Sequence, residues 1–274
     1  MLLLPSLRAL GGISCLFQLH MLCLRTSSTN GKLIDARKAM LRSALTSNER
    51  VDFTTSVKCL MNLPPKTPKS WAPGVTSRYD DFTAAHINMT LLIHGNGVFL
   101  SWHRHFLYLF EKPLIEECNY KGAVPYWNWP WWADNLAKSQ LFDGSETSIS
   151  GNGYWNESAP VQTNGNYTFP RGHGGECIED GPFANITTGF RSFTLSEFLA
   201  QGLPSDALEY APRCVVCDLN SAISVETPEI VSAMISASTI RDFQNFLDRL
   251  DTINTNVLSS YPGGHMAIGQ SMND

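Results

Sequence analysis

The chain has 274 residues, a formal net charge of −5 and only 16% charged residues. That suits one large globular core and leaves no basic stripe to hold nucleic acid. Outside residues 1–30 no run approaches the roughly 20 apolar residues that span a bilayer, so no membrane partner is expected, and the oligomeric state is left open.

In chain order, residues 1–30 form a short apolar run bounded by arginines and followed by Ser and Thr, a pattern that resembles a secretory signal. Arg8, Gln18 and His20 interrupt it, and no small-x-small site precedes Thr26; a disordered leader or a mistaken gene start are the alternatives. Residues 31–274 are read as one domain. Thr46, Ser47, Asn48 and Glu49 can cap a helix over 48–61 that stops at Pro64 and Pro65, and Lys66 to Thr76 is a Pro-rich loop. A helix over 78–89 carries His86. His94 follows in a loop, where Gly95, Asn96 and Gly97 break any helix. Ser101 is a good N-cap for a helix from Trp102 to Cys118. Pro113 lies inside that pattern and should kink it, yet the inner face continues through Leu114.

Four of the seven histidines, His86, His94, His103 and His105, fall within twenty consecutive positions. Imidazole is the commonest protein ligand for zinc, copper, iron and nickel, so this density points to a metal site. Phe106, Leu107, Phe110 and Leu114 keep one helical face with His103 at its head. His105 points elsewhere on the same turn and is read as a non-ligand. Asp80, Asp81 and Glu111 are the nearest carboxylates that could orient the ligand imidazoles.

Pro125 to Trp132 holds four tryptophans, which read as a packed aromatic wall. Gly144 to Gly175 is rich in Gly, Ser, Asn and Thr and reads as long surface loops; His173 within it is taken as a non-ligand. Five cysteines lie outside the leader: Cys59, Cys118, Cys177, Cys214 and Cys217. An odd number leaves one unpaired or intermolecular, and the Cys214–Cys217 spacing also admits a zinc or redox reading. Asn88, Asn156, Asn166 and Asn185 begin N-glycosylation sequons, although Asn88 sits between proposed ligands. The last clear helix runs from its cap at Ser238 to Asn256, with a stripe of Phe243, Phe246, Leu247, Leu250 and Ile253.

His86, His94, the FLSWHR segment around His103 and Glu111 resemble the first copper motif of the tyrosinase and catechol oxidase family, the type 3 copper proteins. RYDDF, ECNYKG and PYWNW are similar to segments of its short secreted fungal members, and the resemblance runs from Asn48 to the C-terminus. It implies a mainly α fold: a four-helix bundle with long loops, built here from 48–61, 78–89, 102–118 and 239–256. It implies two coppers, each held by three histidines, that use dioxygen to oxidise small o-diphenols to quinones; true tyrosinases also hydroxylate monophenols. Carried over, His86, His94 and His103 hold the first copper and His265 belongs to the second. It also implies the pairs Cys59–Cys118 and Cys177–Cys214, leaving Cys217, in a secreted, disulfide-bonded glycoprotein.

The second copper motif departs from the pattern. Tyr261 stands where the first histidine should be, Pro262 replaces an Asn that active monophenol hydroxylases often carry, and the third histidine should lie beyond Asp274. Leu92 stands in place of the cysteine that cross-links to a histidine. The expectation is therefore a C-terminally truncated chain binding one copper rather than two. The alternative is a non-catalytic copper-binding relative that retains only the first site.

Overall fold

In a computed structural model of the chain, the described residues are 42–159, 163–164, 167–168, 170–193, 202–248 and 264–268. The architecture is mainly helical, as expected. Helix α1, Ser47–Asn62, opens with a capping box: the Thr46 hydroxyl accepts the Glu49 N–H and the Glu49 carboxylate accepts the Thr46 N–H. Phe53, Val57 and Leu60, one turn apart, form its buried stripe. Helix α2, Arg78–Ile93, has a second capping box through Ser77 and Asp80. It runs four residues past the expected Met89, so that His94 is its C-cap.

Helix α3, Phe99–Glu116, starts three residues before the expected Trp102. Asn96 supplies the reason. Its side-chain oxygen accepts the Val98 N–H and its carbonyl accepts the Phe99 N–H, so the first turn is nucleated before Ser101. Ser101 instead donates its hydroxyl back to the Val98 carbonyl. Pro113 is accommodated as expected: its carbonyl accepts the Glu117 N–H at 2.8 Å, and the helix continues to Glu116.

Aromatic side chains lock α2 and α3 together. Phe82 of α2 meets Phe106 and Phe110 of α3 edge-on, at centroid distances of 6.0 and 5.3 Å, and Tyr79 meets Phe110 at 5.9 Å. Each such buried side chain contributes roughly 1.5–3 kcal/mol. The disulfide Cys59–Cys118 ties the end of α1 to the end of α3. Asp81 accepts the N–H groups of Lys66 and Thr67 and pairs with Arg78, which pins the Pro-rich loop to α2.

Among the described residues, the region between α3 and the last helices is mostly loop, with short 3-10 helices at Trp129–Trp132, Leu136–Lys138 and Ser221–Val225. It also contains three two-stranded antiparallel ribbons: β1 (Gly153–Trp155) with β4 (Gly175–Ile178), β2 (Thr163–Asn164) with β3 (Tyr167–Thr168), and β5 (Thr187–Thr188) with β6 (Arg213–Cys214). Glycine permits the first: a Cβ on Gly153 would lie 2.1 Å from the Glu176 carbonyl oxygen. The second disulfide, Cys177–Cys214, joins β4 to β6, and Cys217, which is in neither disulfide, is buried. Cys214 is thus bonded away from Cys217, which removes the zinc or redox reading. The aromatic wall is only half built: Trp127 and Trp129 are buried, whereas Trp131 is 57% exposed.

Helices α4, Pro228–Ile235, and α5, Ile240–Asp248, complete the described elements. Thr239, not Ser238, caps α5, accepting the Asp242 N–H. Leu247 is buried, and Phe243 and Phe246 pack on the core. Leu250, Ile253 and the expected end at Asn256 lie outside the described residues, as do the leader and Asn166. No described helix is long and apolar enough to cross a membrane.

The Cys59–Cys118 bridge closes a loop with a sequence separation of 59. The double variant Cys59→Ala/Cys118→Ala is expected to lose about 4 kcal/mol of stability, read from urea unfolding midpoints. A loss below about 1 kcal/mol would mean that helix packing alone fixes the α1–α3 ends.

Candidate metal centre

Three histidines converge where α2, its C-cap and α3 meet. His86 lies on the inner face of α2, His94 caps that helix, and His103 stands in the second turn of α3. All three are at most 2% exposed. One nitrogen from each falls within 4.8 Å of the others, and His86 Nε2 and His103 Nε2 are 3.4 Å apart.

The chain fixes the rings locally. His94 Nδ1 lies 3.0 Å from the Thr90 carbonyl and His103 Nδ1 lies 2.7 Å from the Phe99 carbonyl, each four residues earlier. Those contacts make Nδ1 the protonated nitrogen and leave Nε2 as the lone-pair donor. The loop between is set by Gly95, at φ +63°, where a Cβ would be strained, and by Asn96, which donates to the carbonyls of Leu92 and His94. Gln244 of α5 also donates to the Asn96 carbonyl. Trp102 leans over His86 at 5.8 Å, meets His103 edge-on at 4.9 Å and stacks on Phe106.

Burial keeps these imidazoles uncharged. It draws the His94 pKa from 6.5 down to about 4, against the opposing pull of the Thr90 carbonyl. It draws His103 to about 3, helped by His94 and opposed by the Phe99 carbonyl. His86 is pushed well below 6.5, first by burial and then by His94, His103 and His265. His265 contributes electrostatically to the shift of His86; it is itself 2% exposed, on a short helical turn. Three neutral nitrogen donors without a carboxylate fit a borderline cation such as copper or zinc and fit magnesium or calcium poorly.

The other residues singled out in the sequence lie elsewhere. His105 is exposed and stacks near Tyr108 at 6.2 Å; His173 is exposed beside Trp155 at 5.8 Å. Asp80 is engaged with Thr76 and Ser77, Asp81 with Lys66, Thr67 and Arg78, and Glu111 with the Val124 N–H. The carboxylates therefore serve caps and loops, and backbone carbonyls orient His94 and His103 in their place. Leu92 is 64% exposed. Tyr261 and Pro262 lie outside the described residues. The carbonyls of Thr90 and Phe99 went unnamed in the sequence reading, although the four-residue offset from His94 and His103 is a signal for them.

The Tyrosinase profile, described as the common central domain of tyrosinase, matches residues 76–274. Tyrosinase P of Aspergillus terreus is 39% identical over 237 residues, covering 84% of this chain and 66% of that protein. The N-acetyl-6-hydroxytryptophan oxidase of Emericella nidulans is 35% identical over 242 residues, with the same coverage. A solved polyphenol oxidase variant from Thermothelomyces thermophila superposes with a TM-score of 0.72 at 34% identity, over 85% of this chain and 62% of that one. The chain thus spans 66% of the length of these curated relatives.

The pKa directions make a pH prediction for the metal-free chain. Unfolded imidazoles protonate near 6.5, whereas folded His94 and His103 resist protonation until about 4 and about 3. Below 6.5 the unfolded state binds more protons, so stability falls as pH drops toward 4; above 6.5 these groups contribute no slope. The loss is about 1.4 kcal/mol per pH unit for each buried histidine. Urea midpoints at pH 7.5, 5.5 and 4.5 should show the decline, and His94→Asn should make it shallower by one histidine's share. A flat wild-type profile would contradict the burial argument.

Proposed function

The chain belongs to the tyrosinase family, and on that premise we propose that it is a copper-dependent oxidoreductase that oxidises o-diphenols to quinones with dioxygen. His86, His94 and His103 would hold one copper, and the resemblance assigns His265 to the same site. The observation that carries this reading is the buried trio of neutral imidazoles, two of them with Nδ1 turned to their own backbone. Copper, when bound, would supply the redox chemistry that links the two reactions: each o-diphenol gives up two electrons and two protons, and one dioxygen takes those of two diphenols to become water.

The chain's own residues do the rest. The carbonyls of Thr90 and Phe99 aim the rings. Trp102, Phe99 and Phe106 form an apolar lining that keeps bulk water from the donors. The substrate is proposed to be a small phenol. The Emericella nidulans relative is named as an oxidase of a hydroxytryptophan, which supports extending the class to hydroxyindoles. Two disulfides fit an oxidising compartment, in keeping with secretion.

A second reading is a copper-binding relative without oxidase activity. It is supported by the sequence, in which the resemblance puts Tyr261 where the family carries a further histidine. Metal analysis after copper loading and dialysis tests both. We expect about one copper per chain, lost in His94→Asn and His103→Asn and kept in His105→Asn and His173→Asn. Quinone formation with oxygen uptake, followed on catechol, supports the oxidase. Firm copper retention without quinone supports the second reading. Equal retention in all four variants would sink both.

A further inference from the structure

His265 and Met266 lie on a short helical turn that ends at Ala267, and the three are at most 2% exposed. The Ile268 N–H donates to the His265 carbonyl at 3.5 Å. Something outside the turn also holds it.

That something is the segment from Asp218 to Asn220. The Asn220 N–H donates to the Ala267 carbonyl at 2.9 Å and the Asp218 N–H to the Ile268 carbonyl at 3.3 Å. The Asn220 side-chain amide donates to the Met266 carbonyl at 2.7 Å and to the Asp218 carbonyl at 3.0 Å, while its oxygen accepts the Ala222 N–H at 2.9 Å. Both amide hydrogens and the amide oxygen are thus engaged, in a side chain only 7% exposed. From the other side Gly264 lies flat on Trp129: a Cβ there would come within 2.9 Å of three indole carbons.

The clamp is itself anchored. The Asp218 carboxylate accepts the N–H groups of Gly172 and Gly174, both at 2.9 Å. The Cys217 carbonyl accepts those of Gly153 and Gly175. Resting on the metal reading given above, we propose that Asn220 is a positioning residue of the metal cavity: it ties the His265 turn to the disulfide-bonded ribbons and so sets that histidine against the trio.

No other common side chain can make this set of bonds. Aspartate matches the shape but, ionised, has no donor for the two carbonyls. Asn220→Asp should therefore release the turn while leaving His86, His94 and His103, which it does not touch. The readout is carbethoxylation of the metal-free full chain by diethyl pyrocarbonate, followed residue by residue by peptide mass spectrometry. The expected result is a rate at His265 raised about tenfold, with His86, His94 and His103 as slow as in the wild type. Copper retention at the trio should be unchanged. Should Asn220→Asp fail to fold, Asn220→Ser, which still caps the Ala222 N–H but cannot reach the Met266 carbonyl, gives the same reading. An unchanged rate at His265, or equal acceleration at all four histidines, overturns the proposal. A wild-type chain that binds no copper would refute the proposed function and not this inference, because the reactivity comparison uses metal-free protein.

Discussion

An imidazole can offer a lone pair to a fixed point only when its other nitrogen is committed elsewhere. Here His94 Nδ1 and His103 Nδ1 face the carbonyls of Thr90 and Phe99, and much of the architecture serves those two contacts. α2 must extend to Ile93 so that Thr90 is helical when His94 caps it. α3 must begin at Phe99 for its carbonyl to stand below His103. Asn96 and the left-handed Gly95 join the two ends in the few residues available. The aromatic contacts among Phe82, Phe106 and Phe110 then fix the spacing of the helices that carry the rings.

The second constraint is charge. Carboxylates near the site are drawn away to caps and loops, so the pocket presents neutral donors only. A cation there keeps its full charge, tempered only by the dipoles of the imidazoles and the backbone. This favours an ion that binds nitrogen well and changes oxidation state readily, and disfavours hard ions that require oxygen. The same burial that keeps protons off the histidines also means that the metal meets little competition from acid until well below neutral pH.

Parts of this were legible in the sequence for physical reasons. His86, His94 and His103 stood out because their density around a glycine break is unusual for unrelated side chains. α1 was legible because Thr46 and Glu49 form a local capping signal. The start of α3 was misjudged because the preference of Ser101 for a cap position lost to Asn96, which bonds the backbone with both its side chain and its carbonyl. The ribbons were missed because strands of two to four residues show no period; glycine contacts and the Cys177–Cys214 bridge specify them instead. Asp80, Asp81 and Glu111 sit near the histidines in sequence, but their hydrogen-bonding capacity is taken up by backbone N–H groups. Asn220 carries no motif at all, since its role exists only across a gap of more than forty residues. His265 was reached through resemblance alone.

The proposed site draws on residues that differ in how far apart they lie along the chain. His86, His94 and His103 fall within 18 positions, whereas His265 comes some 160 residues later. Closing the longer loop costs roughly 2 kcal/mol more in chain entropy. There is also a difference in time. At about 5–20 residues per second of synthesis, roughly ten to thirty seconds separate the making of His103 from that of His265. The helical half of the site can thus take shape on a nascent chain, before the ribbons and their disulfide exist. The order of biosynthesis makes the three histidines of the helical half available before the turn that carries His265 has been translated.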